Sequence, residues 1–245
     1  MDLLNRRALV TGGSRGIGAA IARTLAAEGA DVAVTYEKSV AQAAEVVHAI
    51  EAAGRRAIAI QADSADVVAV RRSVEEAVGF LGGLDILVNN AGIMRMGPVK
   101  DISLDDIDAM LKVNVRAPVI ASQAAIPHLG RGGRIITIGS WFGERVQFPG
   151  VSVYSMTKSA LTSFTKGLAR EVGPDGITVN LVQPGAIDSD MNPAAGPLAE
   201  MIRQPIATGQ YGTGADIANA VAFLASGKAD YITGTSLTVD GGMIA

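Results

Sequence analysis

RRALVTGGSRGIGAAIARTLAAEGADVAVTY, residues 6–36, decides the fold. An apolar run, 8–10, enters glycines at 12 and 13. Apolar residues then recur at helical spacing through 17–30 and stop at Gly29. A second apolar run follows at 31–36. Strand, glycine turn, helix, strand is the repeating unit of a parallel sheet. Gly12, Gly16 and Gly18 fall in the turn between strand and helix, which in a doubly wound fold faces the ligand crevice. Glycine lets the backbone approach a pyrophosphate, and the helix start offers N–H donors and a positive dipole. The spacing is G-x-x-x-G-x-G. It is not G-x-G-x-x-G, because Ile21 stands where the third glycine would be, and no G-K-[ST] follows to make a P-loop. The bland alternative is a glycine turn that serves packing alone.

The rest of the chain repeats the unit. Residues 39–54 read as a helix, 55–63 as a third strand, 67–82 as a helix and 84–90 as a fourth strand. Residues 103–129 read as one helix, opened by Ser103 with acids in its first turn. A fifth strand is expected at 132–140, a long helix at 152–173, a sixth strand at 176–185 and a last one at 234–242. Near-continuously apolar strands suit a parallel sheet buried on both faces. With no linker and no repeat, the expectation is one α/β domain over 1–245. Only 184–214 is irregular, and a flexible substrate lid is expected at about 188–211.

Composition narrows the chemistry. A net charge of −3 with mixed signs leaves no nucleic-acid footprint. The absence of cysteine excludes disulfides, thiolate metal sites and a cysteine nucleophile. His48 and His128 lie far apart without an H-E-x-x-H pattern, so no metal site is expected. The first ten residues carry no apolar signal core, and no uncharged apolar run reaches the ~18 residues of a membrane span. A soluble, cytoplasmic protein that contacts no membrane is the expectation.

Two further stretches carry chemistry. The second strand ends at Tyr36, where an NAD site would place an acid for the ribose 2′-hydroxyl. Ser14 and Arg15 could meet a 2′-phosphate, Arg15 as a charged fork, which favours NADP(H). Glu37, if turned inward, would repel that phosphate and favour NAD(H). In YSMTK, residues 154–158, Tyr154 and Lys158 share one helix face. A free phenol has a pKa near ~10. A lysine one turn away would favour tyrosinate and draw that pKa toward working pH.

T-G-G-S-R-G-I-G at 11–18, N-N-A-G at 89–92, Asn114, Ser140, Y-S-M-T-K at 154–158 and P-G-A-I at 184–187 occur in order. In these the chain resembles the short-chain dehydrogenases/reductases over nearly its whole length. Within that family, 133–140, 167–180 and 231–242 look like 3-oxoacyl-[acyl-carrier-protein] reductases. The stretch QPGAIDSDMNPAAGP, 183–197, looks more like a bacterial biofilm-dispersal mediator associated with cyclic-di-GMP binding. The resemblance implies a Rossmann-type sheet of seven strands in the order 3-2-1-4-5-6-7. It implies Asn114, Ser140, Tyr154 and Lys158 as the catalytic set: Tyr154 acid/base, Lys158 tuning it and holding the nicotinamide ribose, Ser140 on the substrate oxygen, and Asn114 placing a relay water. It implies Gly12, Ser14, Arg15, Ile17 and Gly18 around the phosphates, and Tyr36, Asp63 and Ser64 near the adenosine. Asn90, Ala91 and Gly92 would lie along the cofactor, with Asn89 structural, and Pro184, Gly185, Ile187 and Ser189 beside the nicotinamide.

The family activity is interconversion of a ketone and a secondary alcohol with NADP(H), in a homotetramer or homodimer. Trp141, Phe142, Gln147, Met94, Met96 and Met191 would line a pocket for a ketone of moderate size, and Arg95 or Arg145 could meet an anionic tail. The competing reading is a nucleotide-sequestering protein on the same scaffold.

Overall fold

The computed structural model describes residues 1–196 and 198–245; Pro197, inside the expected lid, lies outside the described residues. Seven parallel strands form one sheet in the order β3-β2-β1-β4-β5-β6-β7. They are β1 Arg7–Val10, β2 Asp31–Tyr36, β3 Ala57–Gln61, β4 Ile86–Asn89, β5 Arg134–Ile138, β6 Thr178–Pro184 and β7 Ser236–Val239. The helices are α1 Gly16–Ala27, α2 Val40–Ala52, α3 Val67–Leu81, α4 Leu104–Met110, α5 Ala117–Ala125, α6 Ser152–Val172, α7 Ala199–Arg203 and α8 Gly214–Ala225.

Strand alternation builds two cores from one sheet. Ala8, Val10, Val32, Val34, Ile86 and Val88 face α1, α2 and α8. Leu9, Ala33, Leu87 and Ile135, one position out of phase, face α3, α5 and α6. Both faces are therefore covered by helices, which is why the strands read as nearly unbroken apolar runs. Strand order reverses between β1 and β4, so their C-terminal ends splay into a crevice.

The expected single helix over 103–129 is broken up. Between α4 and α5 the chain runs through a π-helical segment, Leu111–Arg116, and α5 ends at Ala125 before a short 3₁₀ turn, Ile126–His128. Two prolines explain this. Pro118 has no N–H for the carbonyl of Asn114, four residues back, and its ring crowds that carbonyl, so the helix widens just before it. Pro127 stops α5 in the same way. Among the described residues of the expected lid, α7 is the one short helix, with turns and bridges elsewhere. Among the described residues no helix is long and apolar enough to cross a membrane.

Candidate active site

The glycine turn is held open by its neighbours. Gly12 sits at φ +62° and Gly13 N–H donates to the Thr35 carbonyl at 2.9 Å. A Cβ on Gly18 would lie 2.3 Å from the Gly12 carbonyl oxygen and 2.5 Å from Asn90 Nδ2, so only glycine lets α1 start this close to the turn. The Thr35 hydroxyl accepts from Gly12 N–H at 3.0 Å. The Thr11 hydroxyl accepts from the backbone N–H groups of Asn90 and Ala91 at 3.0 and 3.1 Å. Sequence reasoning quoted both threonines but assigned neither a role. Their signal, a hydroxyl at a strand end beside a glycine, is common in loops of many kinds.

Asn90 donates through Nδ2 to the Thr11 and Gly12 carbonyls at 2.9 and 3.0 Å, which makes it a brace for the turn. Asn89 is buried on Ser122 of α5 at 3.1 Å, the structural place expected for it. Ser14 is buried, Ile17 is half-buried and Arg15 is exposed at the rim. The Arg15 guanidinium pairs with Asp190 at 2.8 Å, both side chains more than half exposed. It borders a groove of ≈ 320 Å³ shared with Arg23, Gln42 and Gly214. Tyr36 closes β2, and Glu37 beside it pairs with Lys38 at 2.9 Å. Asp63 spends one oxygen on Ala65 N–H at 2.7 Å, and Ser64 is half-buried beside it.

Across the crevice, β5 delivers Ser140 and α6 delivers Tyr154 and Lys158. Ser140 follows β5 in extended backbone and its hydroxyl accepts from Phe142 N–H at 3.3 Å. Tyr154 and Lys158 are 7% and 5% exposed. Lys158 Nζ donates to the Ile138 carbonyl at 3.1 Å and lies 5.8 Å from the centre of the Tyr154 ring. The expected pull of the lysine on the phenol is not what dominates. Burial pushes the Tyr154 phenol up to about 12, with a hydrogen bond to Ser140 working the other way. Burial also pushes the Lys158 ammonium down to about 8. In a dry cleft both charged forms lose solvation, and that loss outweighs their attraction.

Asn114 is 1% exposed and lies in the π-helical segment. Its Oδ1 accepts from Ile93 N–H at 2.9 Å, while Nδ2 donates to the Ile93 carbonyl at 2.8 Å and to Thr157 Oγ1 at 3.1 Å. Thr157 in turn donates to the Tyr154 carbonyl at 2.7 Å. Asn114 thus ties the loop after β4 to α6. Gly92 lies between these groups: a Cβ there would be 3.4 Å from Lys158 Nζ and 3.6 Å from Asn114 Oδ1. Asn114→Leu leaves both Ile93 backbone groups without a partner, so stability falls by about 2 to 4 kcal/mol. Urea unfolding monitored by circular dichroism measures it.

β6 ends in the buried Pro184, and Gly185 N–H donates to the Val239 carbonyl at 3.0 Å. Ile187 is buried, and Ser189 Oγ donates to the Ile187 carbonyl at 3.3 Å. Of the expected pocket residues, Trp141 belongs instead to a core of Ala186, Ile206 and Met243 and is 4% exposed. It stacks on Phe142 at 4.0 Å, and Phe142 meets the Tyr154 ring edge-on at 6.0 Å. Phe142 and Gln147 are half-buried, as is Met94, while Met96 and Met191 are exposed. Arg95 pairs with Asp106 at 3.3 Å and Arg145 is exposed.

Residues 12–244 match the family model described as Enoyl-(Acyl carrier protein) reductase. The chain is 44% identical over 233 residues to the cyclic-di-GMP-binding biofilm dispersal mediator protein of Escherichia coli, covering 95% of this chain and 94% of that protein. It is also 44% identical over 243 residues to a 3-oxoacyl-[acyl-carrier-protein] reductase of Staphylococcus aureus, covering 98% of each. Among solved structures, a short chain dehydrogenase from Burkholderia cenocepacia in complex with NADP superposes with a TM-score of 0.99 at 59% identity, over 100% of both chains. A glycine-turned crevice, a buried tyrosine–lysine pair and these matches along the full chain agree: the chain belongs to the short-chain dehydrogenase/reductase family.

Proposed function

We propose that this protein is an NADP(H)-dependent reductase of apolar ketones of small to medium size. The observation that carries the reading is the buried Tyr154–Lys158 pair beside Ser140, at the end of the crevice opposite the glycine turn. The open glycine turn fits a dinucleotide: Gly12, Ser14, Ile17 and Gly18 would hold its phosphates, and Gly185 and Ile187 its nicotinamide end. When bound, the cofactor supplies the hydride. The chain supplies the rest. Ser140 holds the carbonyl oxygen, and Tyr154 gives that oxygen its proton. A phenol pushed up to about 12 stays protonated at neutral pH, which suits reduction over oxidation. Lys158 keeps its ammonium between the Ile138 carbonyl and the ribose side of the cleft. Phe142, Met94, Met96 and Met191 supply an apolar, adaptable wall.

Arg15 is the group for a 2′-phosphate. Its pairing with Asp190 is solvent-exposed and so contributes little, which makes it easy to exchange for a phosphate. Arg15→Ala is expected to weaken NADPH binding about ten-fold or more while leaving NADH binding nearly unchanged. Titration of the reduced-nicotinamide fluorescence with each cofactor checks this.

The name of the Escherichia coli relative favours a second reading, capture of a cyclic dinucleotide. One experiment separates the two. NADPH absorbance is followed with a panel of β-ketoesters, 3-oxoacyl thioesters, cyclic ketones and diketones, and cyclic-di-GMP binding is measured by calorimetry. Turnover of a ketone supports the reductase; cyclic-di-GMP binding with no ketone turned over supports capture.

A further inference from the structure

Gln183 stands near the C-terminal end of β6, one strand in from the sheet edge, with its amide oxygen unused. It is fully buried in β6, next to the Pro184–Gly185 turn. Its Nε2 donates to Glu144 Oε1 at 2.5 Å, and its Oε1 is buried without a partner among the described residues. A buried amide oxygen left unpaired costs stability, and an apolar side chain of the same size would avoid the cost. Packing alone gives no reason for glutamine at this position.

Its surroundings supply one. Glu144 follows the 3₁₀ turn Trp141–Gly143, which begins directly after Ser140. A Cβ on Gly143 would lie 3.1 Å from Gln183 Oε1 and 3.2 Å from the Lys158 carbonyl carbon, so this turn is pressed between β6 and the backbone of α6 at Lys158. Ser159 Oγ fixes the same turn from α6, donating to the Gly143 carbonyl at 2.7 Å. Gly139, just before Ser140, is held to β6 through its N–H to the Val182 carbonyl at 2.8 Å. Ser140 is therefore anchored to β6 in front by backbone and behind by the Gln183–Glu144 contact. Glu144 itself is exposed, so this contact is the weaker end of the frame.

We propose that Gln183 and Glu144 form a strap that positions Ser140: Gln183 acts from the strand leading to the nicotinamide turn, and Glu144 closes the loop that carries the carbonyl-binding hydroxyl. The role in turnover rests on the reductase reading above; the mechanical role does not. Neither residue touches the reacting atoms, so both are positioning residues. Loss of the strap lets Ser140 drift from the carbonyl, and misplacement of this kind costs about ten-fold or more in turnover. The loss belongs mainly in kcat and in the KM for ketone, with NADPH binding nearly unchanged, because the Gln183 side chain is turned to Glu144 while the Pro184–Gly185 turn keeps its backbone bond to Val239.

Trp141 is the only tryptophan in the chain and sits inside the strapped turn, so it reports on the strap without any substrate. Wild type, Gln183→Leu, Glu144→Ala, Glu144→Gln and the double variant Gln183→Leu/Glu144→Ala are compared by acrylamide quenching of Trp141, by thermal unfolding, and by kinetics with NADPH and a ketone. The expected result has four parts. Quenching rises in Gln183→Leu and Glu144→Ala. Glu144→Gln, which keeps an acceptor oxygen, recovers most of that change. Gln183→Leu unfolds no earlier than wild type, and the double variant loses no more turnover than either single one. Unchanged quenching in both single variants overturns the strap. So does a turnover loss that appears wholly in NADPH binding. If wild type reduces no ketone, the reductase reading fails while quenching still decides the strap.

Discussion

Tyr154→Phe lowers ketone reduction by ~10²- to 10⁴-fold in kcat/KM, the range a positioned general acid contributes. The substitution removes one oxygen from a ring that is 7% exposed and packed edge-on against Phe142, so the cavity barely changes. The phenol hydroxyl is bonded to Ser140, while the neighbouring frame of Asn114, Thr157 and Ile93 reaches only the Tyr154 carbonyl. NADPH binding should therefore stay within about two-fold of wild type, since a group used only in the transition state leaves ground-state binding intact. Stopped-flow reduction and a fluorescence titration measure the two quantities. A variant that keeps more than about a tenth of wild-type turnover would remove Tyr154 from the role of proton donor.

Lys158→Met is the second large effect, and it has a signature in stability as well as in rate. On the proposed reading turnover falls by ~10³-fold, because the charge beside the phenol is lost and with it the hold proposed for the cofactor ribose. The stability change depends on pH with a definite sign. Burial pushes the lysine from 10.5 down to about 8, so between these values the unfolded chain binds more protons than the folded one. Folding stability is therefore lowest below pH 8 and rises as pH climbs toward 10.5. Tyr154 acts in the opposite sense. Its phenol is pushed from 10.0 up to about 12, so above pH 10 the folded chain holds the extra proton and stability declines. Wild type without cofactor should thus gain stability from pH 8 to about pH 10 relative to Lys158→Met, whose curve lacks the lysine's rise. Methionine also removes a buried charge with a single hydrogen-bond partner, so the variant should be the more stable of the two at pH 7. Urea midpoints measured from pH 7 to pH 10 test both points.

These expectations expose a division of labour in the site. The sequence points to Ser140, Tyr154 and Lys158 through the residue types and order of its motifs, and the structure brings the three together. The brace around them was not. Asn114 is implied by the resemblance, but its grip on both backbone groups of Ile93 depends on the π-helical segment, and that depends on how Pro118 is accommodated in three dimensions. Gln183 and Glu144 lie 39 residues apart and meet only because β6 packs beside β5. Trp141 was expected to line the pocket from its place after Ser140, yet it turns into the core beneath α7. The pKa order also escaped the sequence, since spacing reveals that a lysine is near a tyrosine but not how dry their surroundings are.

Residues 6–36 by themselves determined the architecture: a strand, a glycine turn, a helix and a second strand, repeated along the chain, admit one handedness of crossover and one buried parallel sheet. The order of motifs along the chain determined the family and singled out the candidate groups of the site. Only the tertiary structure decided how those groups behave. Hydrogen-bond partners such as Arg15 with Asp190, 175 residues apart, are chosen by proximity in space, and the cost of carrying charge is set by burial. Neither is a property of neighbours in the chain, and both set how firmly the buried Tyr154 holds its proton.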